Sequence, residues 1–268
     1  MSNAGKRYGL LTEVSGIEET RNPERQRHLP ASAALDWLAA GWHDFKTIPG
    51  PSLAYGLAVF LVSILFIWAM FAFGWDYILF PALSGFMIVA PVLAIGLYEK
   101  SRAIEDGEVP TLNRMLWVKP RAGAQILFTG VLLCLLMLLW MRAAVLIYAL
   151  FFGVRAFPGL DHIAPIIFTT PMGWALAVVG TLVGGLFAAF GFAISVFSIP
   201  MLLDQRTDAL TAMGTSMAMV WNNLHPMIAW GAVVLALFAV SVVTCLVGLI
   251  VIFPLLGHAT WHAYKAIR

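Results

Sequence analysis

Long apolar runs, separated by short polar stretches, make up most of the chain from residue 52 onward. The runs are continuous and do not alternate with a period of two residues, so they predict helices rather than the strands of a barrel. A helix of about 20 apolar residues is long enough to cross the hydrocarbon core of a bilayer. The pattern predicts an all-α, polytopic transmembrane helix bundle of about six spans, arranged as three hairpins, at residues 52–75, 78–98, 122–142, 173–203, 226–244 and 248–266.

The last apolar stretch leaves two arrangements open. Residues 227–264 contain no Asp, Glu, Lys or Arg over 38 positions, which is about twice the length of one span. We expect a helical hairpin with its turn near Thr244 to Gly248. A single helix kinked at Pro254 also fits the pattern.

An amphipathic segment at residues 31–48 precedes the first span. Its apolar side chains fall on one helical face and its charged side chains on the others, which is typical of a helix that lies in the membrane interface. We expect Ser32 to cap this helix and the prolines after Ile48 to end it. A short helix folded onto the cytoplasmic loops is the alternative. The apolar face would consist of Leu35, Leu38, Trp42 and Phe45.

Two further polar segments complete the division of the chain. Residues 1–30 carry charges of both signs without periodicity, which predicts a mobile tail. Residues 204–226 have apolar positions at helical spacing, which predicts a second interfacial helix. The chain therefore divides into a tail at 1–30, an amphipathic helix at 31–48 and a transmembrane domain at 49–268.

Composition and charge agree with a membrane protein and give its orientation. Hydrophobic residues make up 61% of the 268 and charged residues 11%, against about 45–50% and about 25% in soluble domains. The net charge of +2 implies no nucleic-acid partner. Fourteen of the 16 Lys and Arg fall on one side of the predicted spans, so the positive-inside rule predicts that both termini are cytoplasmic. The basic loop at the inner face contains Lys100, Arg102, Arg114, Lys119 and Arg121.

Small residues recur on one face of the fourth span at steps of three and four. Small side chains let two helix backbones approach closely, and packing drives helix association in lipid. A structural contact with another helix, in this chain or in a second subunit, is favoured over a thin wall beside a lipid path. The stripe consists of Gly173, Ala177, Gly180, Gly184, Ala188, Gly191 and Ser195.

Two histidines near the C-terminus are the weak candidates for cofactor binding. His258 and His262 are four residues apart and share a helical face. Two imidazoles at this spacing can bind one metal ion, and a buried histidine can ligate haem. No third ligand is apparent nearby, so we expect no cofactor and expect both histidines to hydrogen-bond to the backbone at the inner side or to lipid phosphate.

Motifs that carry chemistry are missing from the sequence. It has no phosphate-binding loop, no His-Glu-x-x-His, no Gly-x-Ser-x-Gly and no Cys-x-x-Cys. No charged residue stands in the middle of a span, where ion-coupled transporters usually keep one. Asp204 and Asp208 could form an acid pair, but a helix N-cap is the ordinary role for such residues. We therefore expect no catalytic residue and no enzyme activity.

Three stretches carry a resemblance to a known family. They are Glu105-Asp106-Gly107-Glu108-Val109-Pro110, Pro200-Met201-Leu202-Leu203-Asp204 and Phe253-Pro254-Leu255-Leu256-Gly257-His258-Ala259-Thr260-Trp261-His262-Ala263-Tyr264. Over residues 30–268 the chain resembles an uncharacterised, largely proteobacterial family of six-span integral membrane proteins, a domain of unknown function. The resemblance implies six helices and the bacterial inner membrane, and it supplies no catalytic residue.

These observations favour a non-enzymatic inner-membrane protein that acts through helix and lipid contacts, such as an accessory or assembly subunit of a respiratory or photosynthetic complex. Its partners would be the lipid bilayer and other membrane-protein subunits. A transporter or channel for a small or lipidic solute, with hinges at Pro91, Pro200 and Pro254, is the first alternative. A protein that binds b-type haem is the second. We also expect the loop at 99–121, the helices at 32–47 and 204–226, and the two C-terminal histidines to form one cytoplasmic platform.

Overall fold

The computed structural model describes residues 25–153 and 159–268, and this part of the chain is helical and contains no strand. The predicted all-α transmembrane bundle is confirmed. The predicted tail up to residue 24, and Arg155 on the outer side, lie outside the described residues. The described helices are α1 (Ala33–Lys46), α2 (Pro49–Ala72), α3 (Leu79–Leu93), α4 (Ile95–Glu105), α5 (Leu112–Leu116), α6 (Gly123–Phe152), α7 (Leu160–Thr169), α8 (Pro171–Ser195), α9 (Ser198–Asp204), α10 (Ala209–Asn222), α11 (Leu224–Val243) and α12 (Leu249–Ile267).

Five segments of the described chain are long and apolar enough to cross a membrane. Two of them are composite, since α4 continues α3 and α9 continues α8 after a break. The predicted count of six spans is not confirmed, because α12 is not among the five. The segments are Pro49–Ala72, Asp76–Glu105, Gly123–Phe152, Pro171–Asp204 and Leu224–Val243.

The break between α8 and α9 has a local cause. Pro200 lacks an N–H group, and its ring clashes with the carbonyl four residues earlier, which belongs to Val196. The Phe197 N–H donates a hydrogen bond to Ser216 Oγ over 3.1 Å, and this hydroxyl donates to the Ala193 carbonyl over 2.7 Å. A buried serine of α10 thus satisfies backbone groups that the interrupted helix leaves open.

The C-terminal apolar stretch is two helices, α11 and α12, and not one kinked helix. The chain turns between Val243 and Leu249, and Pro254 lies inside an unbroken α12. Cys245 and Leu246 adopt positive φ angles of 52° and 66° in this turn, a conformation that is strained for residues other than glycine.

α12 runs in the opposite direction to α2 and covers only the first part of it. Gly56 lies against Ile250 near the start of α12, and Ser52 lies against His258 further along it. Gly56 is seven residues into α2, which corresponds to about 10 Å at a rise of 1.5 Å per residue. The outer part of α2 therefore extends beyond α12 towards the 3-10 turn at Asp76–Ile78.

The helices α1, α4, α9 and the end of α12 meet at one end of the bundle, which we call the polar end. Trp261 Nε1 donates to Glu105 Oε2 over 3.2 Å, and Lys265 Nζ lies 2.9 Å from Glu105 Oε1. Arg27 donates to the carbonyls of Ile267 and Arg268. The first described residues and the C-terminus therefore lie on the same side of the protein.

α1 packs against α12 and α11 and buries Trp37, Gly41 and Asp44. Trp37 meets Trp230 of α11 edge to face at 6.1 Å. Leu35 and Trp42 of the predicted apolar face are 60% and 42% exposed, as side chains that face lipid would be. The interfacial position of α1 stays a prediction. The expected cap is absent, because the Ser32 side chain makes no capping hydrogen bond.

Candidate functional site

Six polar side chains from four helices form a connected cluster near the polar end, which we call the buried polar network. Five of them are at most 3% exposed, and His262 is half-buried. Buried polar groups of this kind are costly unless each has a hydrogen-bond partner. The members are Asp44 of α1, Ser52 of α2, Lys100 and Ser101 of α4, and His258 and His262 of α12.

His258 is the centre of the network. Its Nε2 atom lies 2.9 Å from Ser52 Oγ, and its Nδ1 atom lies 2.9 Å from Ser101 Oγ. Lys100 Nζ donates to Ser52 Oγ over 2.8 Å and to the carbonyl of Ile48 over 2.9 Å. Both ring nitrogens of His258 are thus engaged by hydroxyl groups.

Asp44 closes the other end of the network. Its carboxylate is hydrogen-bonded to the Ser101 side chain. One carboxylate oxygen, Oδ2, lies 2.8 Å from His262 Nε2. Burial opposes ionisation of this carboxyl, but the hydrogen bonds with His262 and Ser101 outweigh it and hold the pKa of Asp44 below its usual value. Asp44 is therefore a carboxylate at neutral pH.

The charges at the two ends determine the direction of every hydrogen bond between them. A carboxylate only accepts, so Ser101 donates to Asp44 and accepts from His258 Nδ1–H. His258 Nε2 then accepts from Ser52, whose oxygen accepts from Lys100. This assignment of the tautomer follows from the bonding pattern. It gives one continuous chain from the ammonium of Lys100 to the carboxylate of Asp44, with His258 neutral.

Two glycines allow the helices to come close enough for this network. A Cβ atom on Gly41 would stand 2.5 Å from the backbone nitrogen of Ala259, and one on Gly56 would stand 2.2 Å from the carbonyl oxygen of Ile250. No larger residue fits at either position without displacing α12. These contacts with α1 and α2 bring His258 to Ser52.

The residues predicted to form an inner basic loop differ in burial and in their partners. Lys100 is fully buried in α4, whereas Lys119 and Arg121 are exposed. Arg102 and Arg114 both pair with the buried carboxylate of Glu99, at 2.5 and 2.6 Å. Arg102 also donates to the Leu203 carbonyl over 2.9 Å, which joins α4 to α9. The segment thus contains the end of α4 and the short helix α5, and the ion pairs of Glu99 hold the two together.

The small-residue stripe of α8 makes contacts within the chain at some positions only. A Cβ atom on Gly184 would stand 2.9 Å from the Trp140 ring of α6, and one on Gly191 would stand 3.2 Å from Ile88 of α3. Gly173 lies against the backbone of α7, and Ser195 is fully buried. A Cβ atom on Gly180 would have no neighbour within 4 Å among the described residues outside its own helix. Ala177 and Ala188 are half-buried.

The chemistry available to the network is limited by access. The Ser52 hydroxyl is hydrogen-bonded to His258, as a nucleophile is to its general base. Both side chains are fully buried, however, and neither lines the cavity between α2 and α3. With both ring nitrogens engaged, His258 has no lone pair free for a metal ion. Among residues 25–153 and 159–268, no group of three His, Cys, Asp or Glu is arranged to hold one. The arrangement can fix helices together and can order protons along a closed chain.

The two aspartates considered as an acid pair lie in different surroundings. Asp208 caps α10, with its side chain accepting from the Thr211 N–H over 2.9 Å. Asp204 ends α9 and pairs with Arg268 and Tyr264. The N-cap expected from the sequence is thus present at Asp208.

A groove of about 630 Å³ lies between α2 and α3. We call it the α2–α3 groove. Its side walls are apolar residues of the two helices, and its back wall contains Phe238, Leu246 and Leu249 from α11, α12 and the turn between them. The groove exists because α12 begins only part-way along α2, which leaves the space above the turn empty of protein.

Asp44, Ser52 and Ser101 were not predicted from the sequence to be members of a site. One signal was available, since Trp37, Gly41 and Asp44 are spaced four and three apart and share a helical face. A glycine between a tryptophan and an acid on one face indicates close packing against another helix. Nothing in the local sequence of Ser52 or Ser101 indicates a partner on α12.

Comparison with known proteins supports membrane integration. The model of a family described as "Predicted integral membrane protein (DUF2189)" matches residues 79–204. The matched region runs from α3 to α9 and includes Lys100 and Ser101, whereas Asp44, Ser52 and both histidines lie outside it. Comparisons with curated proteins and with solved structures gave no match. The chain is a multi-pass integral membrane protein, similar over this region to a family of unknown function.

Proposed function

We propose that the protein is a non-enzymatic accessory or assembly subunit of a larger complex in the bacterial inner membrane, for example a respiratory or photosynthetic one. In this proposal it works through helix–helix and helix–lipid contacts, with both termini in the cytoplasm. The orientation rests on the excess of Lys and Arg at the polar end.

The observation that carries the proposal is the exposure of α2. Only Ser52, Gly56 and Met70 are buried along this helix of 24 residues. Its outer half presents Leu61, Leu65 and Trp68, which are each more than half exposed. A helix with so little cover from its own chain has a surface free to contact a second subunit, and large aromatic and aliphatic side chains are typical of such contacts.

Purification tests this proposal. The full chain, isolated from native membranes in mild detergent, is expected to carry other membrane subunits in stoichiometric amounts by mass spectrometry. The double variant Leu65→Ala with Trp68→Ala should lose these subunits. The matched variant Leu138→Ala with Leu139→Ala, on the exposed side of α6, should retain them. A monomer without stoichiometric partners would remove the proposal.

The transport alternative receives support from one feature only, the α2–α3 groove. Its apolar walls suit a lipidic solute and offer nothing to an ion. Reconstitution into vesicles with a fluorescent phospholipid, followed by a quencher that cannot cross the bilayer, measures whether the protein moves lipid between leaflets. For the haem alternative, protein purified with a native haem supply should show a Soret band, and its absence would end that hypothesis.

A further inference from the structure

We propose that the α2–α3 groove is a binding site for one hydrocarbon chain of a membrane phospholipid. This inference is independent of whether the protein is a subunit of a complex. It rests on the shape and the chemistry of the groove.

The groove is bounded by α2 and α3 on two sides, and the two helices are joined at each of its ends. At the polar end, Tyr55 Oη of α2 donates to the Leu93 carbonyl of α3 over 2.7 Å. Leu112 and Leu116 of α5 lie at the same end. At the other end, Met70 and Leu79 flank the turn that joins α2 to α3. A molecule dissolved in the membrane would enter the groove from the side.

The side chains of the walls offer an occupant no free hydrogen-bond donor. Tyr55 and Ser63 are the polar side chains that line the groove. The Tyr55 hydroxyl donates to Leu93, and the Ser63 hydroxyl donates to the Val59 carbonyl over 2.8 Å. Because both hydroxyl protons are used within the protein, a buried carbonyl or other acceptor of a ligand would be left unsatisfied. An aliphatic chain carries no such penalty.

The size of the groove separates a lipid chain from a helix of a partner. The lining residues of α2 run from Ala54 to Met70, a length of about 24 Å at the helical rise. A helix about 10 Å across would need roughly 1,900 Å³ over this length, which exceeds even the total empty space of the groove, about 1,660 Å³ with the part that opens outward included. A helix could lay a ridge of side chains along the opening, but only something narrower can fill it.

The back wall contains a residue in a strained backbone conformation. Leu246 has a positive φ of 66° and is only 5% exposed, and its side chain lines the groove. Strained non-glycine residues persist where the surrounding structure holds them, and they concentrate at ligand sites. The chain here uses a costly conformation to direct an aliphatic side chain towards the space between α2 and α3.

The chain segment at the polar end suits a phospholipid head group. Leu116 is followed by Trp117, which is 76% exposed, and then by exposed Lys119. Tryptophan is enriched at the level of the head groups, and lysine attracts the lipid phosphate. These neighbours favour a phospholipid over an uncharged lipid as the source of the hydrocarbon chain.

Native mass spectrometry of the purified full chain tests the proposal, using a vesicle mixture of phosphatidylethanolamine and phosphatidylglycerol as the lipid source. Wild-type protein should retain one phospholipid more per chain than Ala58→Trp, whose indole would fill the groove. The matched variant Leu61→Trp lies on α2 but does not line the groove, and it should retain the wild-type number. Equal retention by all three proteins would overturn the proposal.

A second measurement covers the case in which Ala58→Trp does not fold. A phosphatidylethanolamine with a photoreactive group on its acyl chain should label groove peptides of the wild type. The smaller side chain of Leu246→Ala should at least double that labelling by widening the groove. Labelling spread evenly over all exposed helices, or a co-purified polypeptide that protects these peptides, would contradict a lipid occupant. Partner subunits that co-purify without protecting these peptides leave the lipid proposal standing, so failure of the subunit proposal and failure of the lipid proposal are distinguishable.

Discussion

His258 of α12 and Ser52 of α2 are joined by a buried hydrogen bond of 2.9 Å across 206 positions of sequence. The bond links the last helix of the chain to the first span. Because it lies between the charged ends of the network, at Lys100 and Asp44, its loss also separates those charges. The stability of the polar end should therefore depend on each member more than on any exposed ion pair.

Removal of the Lys100 charge is the most direct test of whether the buried polar network stabilises the protein. In Lys100→Met, Ser52 Oγ and the Ile48 carbonyl lose their donor. Leaving buried polar groups unsatisfied costs about 1–3 kcal/mol, so the midpoint of thermal aggregation in detergent should fall by several degrees. Lys119→Met, at an exposed position, should behave as wild type. If both variants melt alike, the network contributes nothing to stability.

Asp44 gives a prediction with a defined pH window. Because the pKa of this carboxyl is lowered in the folded protein, its contribution is present above the unfolded value near 3.8 and is lost as the pH falls through the folded pKa. Asp44→Asn should therefore be less stable than wild type at pH 5 to 8. Its melting temperature and that of wild type should converge only below about pH 3.8. Convergence already at pH 6 would contradict an ionised Asp44 in the network.

The contact at Gly56 predicts a steric effect of a single methyl group. Gly56→Ala would place a Cβ atom 2.2 Å from the Ile250 carbonyl oxygen, and overpacking of this kind costs about 1–3 kcal/mol. Gly185→Ala faces open space in α8. There the better helix propensity of alanine should stabilise by up to about 1 kcal/mol. Opposite shifts of the two melting temperatures would support the fit of α12 against α2, and a stabilised Gly56→Ala would refute it.

Particular residues show which features of the fold and of the network could be predicted from the sequence and which could not. Uninterrupted apolar runs identify spans because every backbone group in lipid must be satisfied within a helix. A break one turn before Pro200 could be expected, because the proline ring clashes with the carbonyl four residues earlier. The partners of His258 could not, because Ser52 and Ser101 are 206 and 157 positions away and no local pattern records a contact between distant helices. The packing of α1 could not be predicted for a related reason, since the contact of Gly41 with Ala259 joins positions far apart in the sequence.

The contact between Arg27 and the end of α12 leads to a prediction of topology. Arg27 donates to the carbonyls of Ile267 and Arg268, which places Arg27 and the end of α12 on the same side of the bundle. With the native Cys134 and Cys245 replaced by serine, single cysteines at Trp117 and Arg268 should react with an impermeant maleimide only after the cytoplasmic side is opened. A cysteine at Trp75, in the turn between α2 and α3, should react in intact cells. Labelling of the Arg268 position from the outside would reverse the orientation assigned by the basic residues, and opposite accessibility of the Trp117 and Arg268 positions would contradict the packing of α12 at the polar end.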